Sequence, residues 1–354
     1  MVPALFTPNG GVVGGAERYA FELARHMSAR VPTTLVTFGE DAQTETADGL
    51  TIQVIGKARY IKAQRSNPIA IRPLLSLLRN ADVVHCHQQY VTSSSLAALF
   101  CRLTGRRVFV SELGGGGWDI SSYISTDSWY HGHLHISQYS RKMFKQEHAR
   151  NAHVIFGGVD LRKFSPDQSV PKSKTVLFVG RLLPHKGINY LIEALPRDMC
   201  LEMIGQPYDG KFFAELQRLS AGKNVVFRHD CTDDQLVNAY RRSLCVVLPS
   251  VYKNLYGGTT NVPELLGQTL LEGMACGIPA ICSDVASMPE IVEDGVSGFV
   301  VPPNDPKSLR EKLVWLRDNP ESAAQMGRRG SQRVTERFNW SAVVQSCLKI
   351  YKSP

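Results

Sequence analysis

Glu264-Leu265-Leu266-Gly267-Gln268-Thr269-Leu270-Leu271-Glu272 is the stretch of this chain that is most informative about its fold and its chemistry. Its two carboxylates stand eight residues apart, and a glycine between them opens an apolar run that ends at Gly277 and Pro279. A helix that starts there leaves backbone N–H groups near residues 267–269 without helical partners, which favours an anion. The alternative is that two surface acids flank an ordinary amphipathic helix, because a two-residue pattern is weak alone.

The length and composition of the chain fit two globular domains. It has 354 residues, of which 43% are hydrophobic and 20% charged, and no apolar run is long enough to cross a bilayer. Short β-branched runs alternate with helical stretches from end to end. This alternation predicts parallel α/β units arranged as two doubly wound domains that face a cleft. Ligands of such sheets bind outside the carboxyl ends of the strands.

Twelve strands and a long first helix are predicted from these periodicities. The helix carries an apolar stripe formed by Ala16, Ala20, Leu23, Ala24 and Met27. The strands are predicted at residues 4–7, 33–38, 51–55, 82–86, 107–110, 134–137, 153–156, 175–179, 200–204, 224–227, 244–248 and 280–282. Residues 161–174, which include two prolines, are predicted to form a linker between domains at residues 1–165 and 166–337.

The loop after the first strand of the second domain carries two cations. Arg181 and Lys186 lie five residues apart around a turn, between Gly180 and Gly187. A guanidinium offers parallel donors to phosphate and an ammonium offers a movable point charge. Together they suit a diphosphate whose negative charge grows as it leaves. The alternative is a pair of solvated cations on a loop.

These two elements resemble the E-x7-E and GR…KG elements of retaining GT-B glycosyltransferases of the family 4 type (glycosyl transferases group 1), which use nucleotide sugars. Further segments match elements of that family in the same order; they are Gly14-Gly15-Ala16-Glu17-Arg18 and residues 82–87, 156–160, 234–250 and 288–299. The ending from Phe338 resembles the family's C-terminal helix, which crosses back onto the first domain, so residues 338–354 are assigned to it. The resemblance implies the GT-B fold, an α/β architecture of two Rossmann-like domains.

The resemblance also implies the roles of individual residues. The residues implied to bind the donor are Arg181, Lys186, Gly267, Gln268, Thr269 and Glu272. Glu272 is expected to hold the ribose hydroxyls. Glu264 is expected to hold a hydroxyl of the transferred sugar, and the resemblance makes it catalytic together with Arg181 and Lys186. The acceptor is expected near Gly14, Gly15, Gly114, Gly115 and His87. The implied reaction is retaining hexosyl transfer without a metal or other cofactor, in glycan, polysaccharide or glycolipid synthesis.

Two departures from the family pattern affect the site. Where the family often has a histidine after a first-domain strand, this chain has Leu113, so a nearby polar group is needed. Asp119 follows a glycine run and is a candidate catalytic group; the alternative is that it caps a helix starting near Ser121. The second departure is the segment at residues 251–263, which is longer than the family's usual link and is expected to form a loop over the donor sugar.

Other function classes lack their motifs. The chain has neither G-x-G-x-x-G after a strand nor G-x-x-x-x-G-K-[ST], and it has no Asp-x-Asp. Histidines at alternate positions, namely His85, His87, His131, His133 and His135, would share strand faces, but no local cysteine or carboxylate completes a zinc set. No nucleic-acid partner is expected. A GT-B nucleotide-sugar epimerase and a catalytically inactive nucleotide-sugar-binding partner of another transferase remain alternatives.

The charge distribution raises a membrane hypothesis. The net charge is +8, and cations mix with apolar residues from Lys57 to Arg79. Such segments lie on anionic membrane surfaces when they are amphipathic; the alternative is a solvated face over a core helix. Eight scattered cysteines without a C-x-x-C pair favour reduced thiols, hence a cytoplasmic protein, with peripheral contact at the inner membrane face as the hypothesis.

Overall fold

The computed structural model of the chain separates into two compact units. Unit 1 is formed by Met1–Gly157 and Trp340–Pro354, and unit 2 by Gly158–Asn339. The residues that the structure describes are 1–5, 14–64, 66–114 and 118–353. Phe164, within the segment predicted to be a linker, packs inside unit 2: its ring lies edge-on to Tyr240, and its N–H donates to the Asp160 carbonyl at 2.8 Å.

Unit 1 contains a mixed three-stranded sheet, a small hairpin and a parallel four-stranded sheet. The strand orders are β1-β3-β2, β4-β5 and β6-β7-β8-β9. The strands are β1 Thr33–Phe38, β2 Gln43–Ala47, β3 Leu50–Ile55, β4 Arg59–Tyr60, β5 Pro68–Ile69, β6 Val83–His87, β7 Arg107–Ser111, β8 Gly132–His135 and β9 Ala152–Val154. The helices are α1 Gly15–Ser28, α2 Ile71–Leu78, α3 Thr92–Leu103 and α4 Gln138–Met143. The predicted apolar stripe of the first helix is the buried face of α1.

Two strand predictions for unit 1 need correction. Residues 4 and 5 are not in a strand, and residues 6 and 7 lie outside the described residues. The sheet contacts are instead made by Met1 and Val2, whose backbones bond to His87 N–H and the Val36 carbonyl at 2.8 and 2.9 Å. The strand predicted at 134–137 lies two residues earlier, because Ser137 caps α4 by accepting from Ser140 N–H at 3.0 Å. β2, β4 and β5 were missed; every β2 residue is exposed, so it has no apolar pattern.

Unit 2 is a doubly wound α/β unit around six parallel strands in the order β12-β11-β10-β13-β14-β15. The strands are β10 Thr175–Val179, β11 Cys200–Ile204, β12 Val225–Arg228, β13 Cys245–Leu248, β14 Ala280–Ser283 and β15 Gly298–Val301, the last of which was not predicted. The helices are α5 Ile188–Ala194, α6 Gly210–Leu219, α7 Asp233–Arg242, α8 Gln268–Ala275, α9 Met288–Ile291, α10 Pro306–Asp318 and α11 Pro320–Arg337. The strand order reverses between β10 and β13, and a crevice at their carboxyl ends is the expected ligand site.

The last helix, α12 Trp340–Lys352, returns to unit 1, as the sequence predicted. It packs on α1, where the Trp340 ring stacks on His26 with centroids 5.7 Å apart and lies 5.5 Å from Tyr19. Near its end, Tyr351 hydroxyl is 2.7 Å from His85 Nδ1 on β6. Among the described helices of both units, none has the length and apolar character needed to cross a membrane.

Candidate functional site

The loops at the carboxyl ends of β10, β11 and β13 pack backbone to backbone in unit 2. Gly187 ends a 3-10 turn with φ +66°, and a Cβ atom there would collide with the Pro249 carbonyl oxygen. A Cβ atom on Gly205 would likewise collide with the Gly180 carbonyl. Glycine at 187 therefore lets the Arg181–Lys186 loop pack against the loop that follows β13. Glycine at 205 likewise lets the loop after β11 pack against the start of the loop after β10.

Lys186 and Glu264 form an ion pair at this point. The Lys186 ammonium contacts Glu264 Oε1, and both side chains are only 12% exposed. Ser250 hydroxyl donates to the same carboxylate oxygen at 3.0 Å. The predicted cation and the first predicted carboxylate are therefore brought together, in surroundings where solvent screens their attraction less than on an open surface.

His185 adds a neutral imidazole beside this pair, which sequence reasoning missed. Burial and, to a smaller extent, the cations Lys186 and Arg181 lower the pKa of His185 to about 4, against the opposing charge of Glu264. Its carbonyl accepts from Val251 N–H at 2.8 Å, which ties the β10 loop to the start of the 251–263 segment. At neutral pH the ring is uncharged, so it can both donate and accept a hydrogen bond.

Glu272, the second carboxylate, is buried on α8. Tyr240 hydroxyl, from the buried face of α7, donates to Glu272 Oε2 at 2.9 Å. Gly267 stands at the N-cap of α8 with φ +82°, where a left-handed backbone favours glycine. Gly273 on the same helix leaves no room for a Cβ atom against Val246 of β13, so the helix lies close on the sheet. The start of α8 presents the first N–H groups of a helix, as the sequence predicted.

Arg181 differs from Lys186 in its surroundings. It is exposed, and its guanidinium lies 5.9 Å from the ring centroid of Tyr208. Gln268, at the start of α8, uses its side-chain amide to donate to the Gly158 carbonyl at 3.2 Å. Arg181 is thus the cation that an incoming anion can reach first, whereas Lys186 is already paired with Glu264.

The longer segment at residues 251–263 forms a short hairpin. Lys253 and Thr259 form an antiparallel bridge, and Asn254 Oδ1 accepts from the Tyr256 and Gly258 N–H groups at 2.9 and 3.1 Å. The Tyr256 ring lies edge-on to Phe212 of α6 at 6.4 Å. The segment is therefore a structured element between Ser250 and Glu264.

In unit 1, two of the predicted acceptor-side residues, His87 and Gly114, lie at or just after the carboxyl ends of neighbouring strands of the four-stranded sheet. His87 ends β6; it is buried, and its Nδ1 has no hydrogen-bond partner among the described residues, which a ligand or water would remedy. Gly14 is the N-cap of α1 and Gly15 its first residue. Gly115 lies outside the described residues.

Glu112, another residue that sequence reasoning missed, links two of these strand-end loops. Its buried carboxylate accepts from Gln89 N–H after β6 and from Gly114 N–H after β7, both at 2.8 Å. Leu113, the departure from the family pattern, lies between them and is half-buried. Glu112 therefore holds the acceptor-side loops together through main-chain groups.

Asp119 caps a short helix, which is the alternative to a catalytic role that the sequence left open. Its Oδ1 accepts from Ser121 N–H at 3.0 Å and from the Ser121 hydroxyl, at the start of a 3-10 helix. Its Oδ2 accepts from the buried Ser95 hydroxyl of α3. Because the carboxylate is buried and used on both oxygens, the structure favours a cap over the catalytic role that we had assigned to it.

Two further histidines of unit 1, His133 and His135, are engaged in a buried polar network. Gln146 bonds to His135 Nε2 at 2.7 Å and to His133 Nδ1 at 3.1 Å, while His133 Nε2 bonds to the Asp127 carbonyl. Their ring nitrogens therefore serve main-chain and amide partners, the surroundings of core histidines. His85 bonds to Ser111 hydroxyl at 3.0 Å.

This burial predicts acid-sensitive stability. Burial lowers the pKa of His85 to about 3 and that of His135 to about 4, and also that of His87 well below its usual value. The unfolded chain then binds more protons than the folded one between about pH 6.5 and 4. Stability should be full above pH 6.5 and fall as the pH is lowered.

Urea unfolding across this range measures the effect. His135→Asn should remove about one proton from the slope of unfolding free energy against pH. A slope that is flat in the wild type, or the same in His135→Asn, would contradict this account.

Comparison with known proteins agrees with the family that the sequence resembles. Residues 161–333 match the family "Glycosyl transferases group 1", and residues 13–163 match "Glycosyltransferase Family 4". A GDP-mannose-dependent monoacylated alpha-(1-6)-phosphatidylinositol monomannoside mannosyltransferase of Corynebacterium glutamicum is 30% identical, over 96% of this chain and 95% of that protein. An uncharacterized glycosyltransferase of Methanocaldococcus jannaschii is 28% identical over 61% of this chain and 58% of that protein.

The fold is that of the GT-B glycosyltransferases. The structure of Anabaena HepE in complex with UDP and glucose has a TM-score of 0.76 at 19% identity, with 100% of both chains covered. The chain belongs to the GT-B glycosyltransferases of the family 4, or group 1, type. It is a glycosyltransferase that acts on nucleotide sugars.

Proposed function

We propose that this glycosyltransferase moves a hexose from a nucleoside-diphosphate sugar to a hydroxyl of a glycan or lipid-linked acceptor, with retention of anomeric configuration and without a metal ion. The observation that carries the proposal is the Lys186–Glu264 pair beside the start of α8, where the strand order of unit 2 reverses. UDP bound to the structural neighbour and the lipid acceptor in the name of the corynebacterial relative support it.

Donor binding begins with an exchange of ionic partners. The exposed Arg181 meets the diphosphate first, and Lys186 then leaves Glu264 for a phosphate oxygen. The N–H groups of Gly267, Gln268 and Thr269 at the start of α8 add hydrogen bonds to the same anion. Glu264, released from its ammonium, becomes available to accept a hydrogen bond from a hydroxyl of the transferred sugar.

Glu272 accepts hydrogen bonds from the ribose hydroxyls in this mechanism. Tyr240 holds that carboxylate from the buried side and so limits the orientations it can take. The orientation is therefore set before the nucleotide arrives, which lowers the entropy lost on binding.

In the transfer step the acceptor hydroxyl attacks the anomeric carbon on the face from which the diphosphate departs. The bond from that carbon to the phosphate oxygen breaks, the bond to the acceptor oxygen forms, and the acceptor proton passes to the departing phosphate. Arg181, Lys186 and the helix start stabilise the negative charge that develops there. These groups supply the positive charge that a metal ion provides in other transferases.

A panel of nucleotide sugars, incubated with and without candidate acceptors, tests the proposal. Transfer of the sugar to an acceptor with the same anomeric configuration is the expected result. Epimerisation of the nucleotide sugar alone would support the epimerase, and binding without any product would support an inactive partner. Inversion of configuration would overturn the retaining mechanism.

Chelation tests the role of metal ions. We expect the transfer rate to be unchanged in excess EDTA, because two cationic side chains and a helix start neutralise the leaving diphosphate. The initial rate is measured after dialysis against EDTA. Loss of activity that magnesium or manganese restores would show that a divalent ion takes part.

A further inference from the structure

One long stretch of unit 1 carries cations and no acids. Between Asp48 and Asp82 the chain has no acidic residue, yet it has six basic ones: Lys57, Arg59, Lys62, Arg65, Arg72 and Arg79. Arg65 lies outside the described residues, and the other five are exposed. They lie on the β4–β5 hairpin, its flanks and α2, so an anionic partner meets no nearby carboxylate within this stretch.

A second segment, residues 118–125, exposes apolar side chains without any charge on its surface. Tyr123 is 75% exposed, Ile124 48% and Ile120 45%. The one charged residue in the segment is Asp119, which is buried and bonded to Ser95 of α3. Large apolar side chains that are exposed next to one another indicate an interaction surface, whereas single scattered ones do not.

Direct contacts join the two segments into one surface, which we call the docking face (residues 57–64, 66–72 and 118–125). Lys62 Nζ lies 4.2 Å from the centre of the Trp118 ring, and that ring lies edge-on to Tyr123 at 6.0 Å. The fully buried Asn67 of the hairpin loop donates to the Trp118 carbonyl at 2.5 Å and accepts from Thr92 N–H at 2.8 Å. The apolar tip is therefore fixed beside the cations.

The docking face lies at the acceptor edge of unit 1. Residues 118–125 follow β7, and α3, which anchors them through Ser95, follows β6; both strands end at the sheet edge that carries His87 and Gly114. The opposite edge, where α3 ends and β7 begins, carries the 78% exposed Leu103. That edge offers a matched apolar side chain away from the acceptor residues.

We propose that the docking face binds anionic phospholipid, with Tyr123, Ile124 and Ile120 inserted among the headgroups and the surrounding cations against the phosphates. Apolar side chains in a basic surround fit the interface of an anionic bilayer, where burial of apolar area and electrostatic attraction add. Nucleic acid would use the cations but gain little from exposed isoleucines. The suggestion that such docking presents a lipid-linked hydroxyl to this edge rests on the proposed function; the docking itself does not.

Cosedimentation with vesicles of phosphatidylcholine, with and without phosphatidylglycerol, tests the proposal on the full chain. The wild type should bind vesicles that contain phosphatidylglycerol, more weakly as salt rises. Tyr123→Ser with Ile124→Ser should lower that binding by at least about tenfold, because both side chains lose apolar burial. Arg59→Ala with Arg72→Ala should lower it by about fivefold for each charge and weaken the salt dependence, because two of the six cations of the stretch are removed.

Matched controls locate the effect. Leu103→Ser, on the opposite edge, and Arg30→Ala, after α1, should bind as the wild type does. Equal losses in Leu103→Ser and in the Tyr123/Ile124 variant would overturn the proposal, as would wild-type binding that ignores lipid charge and salt. Circular dichroism of each variant shows that the fold is kept.

Other occupants of the face give different results. A dimer in sedimentation velocity that the Tyr123/Ile124 variant abolishes, without vesicle binding, would assign the face to a second copy of the chain and overturn the proposal. Binding of a soluble acidic glycan in place of vesicles would do the same. Sugar transfer to a water-soluble acceptor is measured in a separate assay. Vesicle binding without sugar transfer would contradict only the proposed function. Sugar transfer without vesicle binding would contradict only the docking proposal.

Discussion

Arg181→Ala and Lys186→Ala should each lower turnover by about 10² to 10³, the size expected when a group that stabilises transition-state charge is lost. Both cations lie on the loop that follows β10, at the reversal of strand order in unit 2. The leaving diphosphate gains negative charge as its bond to the sugar breaks, and these side chains are the positive groups placed to meet it. Initial rates with the active nucleotide sugar measure the loss.

The two variants should differ in what else they change. Lys186→Ala leaves Glu264 without its cation, so its melting temperature is compared with that of the wild type before rates are interpreted. Arg218→Ala removes a cation from an exposed ion pair on α6 and should have no effect on rate. Turnover within a factor of two of the wild type in a folded Arg181/Lys186 double variant, a change of about 0.4 kcal/mol, would remove both residues from the mechanism.

The start of α8 was predictable because its information is local. Gly267 and the apolar run that ends at Gly277 belong to one short segment, and the structure has a helix there with Gly267 as its N-cap in the left-handed conformation. The strands at 33–38, 175–179 and 200–204 have the predicted bounds because most of their apolar side chains are buried in the sheets.

Contacts between distant parts of the chain were not predictable in this way. Lys186 and Glu264 are 78 positions apart, and no local pattern shows that the two form a pair in the structure. The role of Asp119 depends on Ser95, which lies on another element 24 residues earlier. Glu112 belongs to no motif; its importance lies in two main-chain N–H groups that the fold brings to its carboxylate.

The exposed segment at 118–125 was missed for a further reason. Hydrophobic periodicity identifies residues that are buried, and it is silent on apolar residues that the fold leaves in solvent. Ile120 and Ile124 look in the sequence like core residues of a short helix, yet both are about half exposed. The basic segment was evident from the composition of the sequence, whereas the exposure of the apolar residues at 118–125 is seen only in the structure.

Glu264→Gln should lower transfer by about 10² and at the same time leave nucleoside-diphosphate binding unchanged or strengthen it by up to about tenfold. In the structure Glu264 Oε1 contacts the Lys186 ammonium, so the carboxylate competes with the diphosphate for that cation. Glutamine removes the competing charge and keeps a side chain of the same length for Ser250 to bond. Calorimetry with UDP, the nucleotide in the structural neighbour, measures the binding and a transfer assay the rate.

Two comparisons make this result specific. Glu293→Gln changes another ion-paired glutamate of unit 2, at the Arg333 contact, and should alter neither quantity. In a Lys186→Ala background no ammonium remains to be released, so Glu264→Gln should no longer strengthen UDP binding. The double-mutant cycle therefore isolates the exchange of partners by Lys186. Weaker UDP binding in Glu264→Gln would mean that the pair stays closed around the bound nucleotide, and the exchange step would then be wrong.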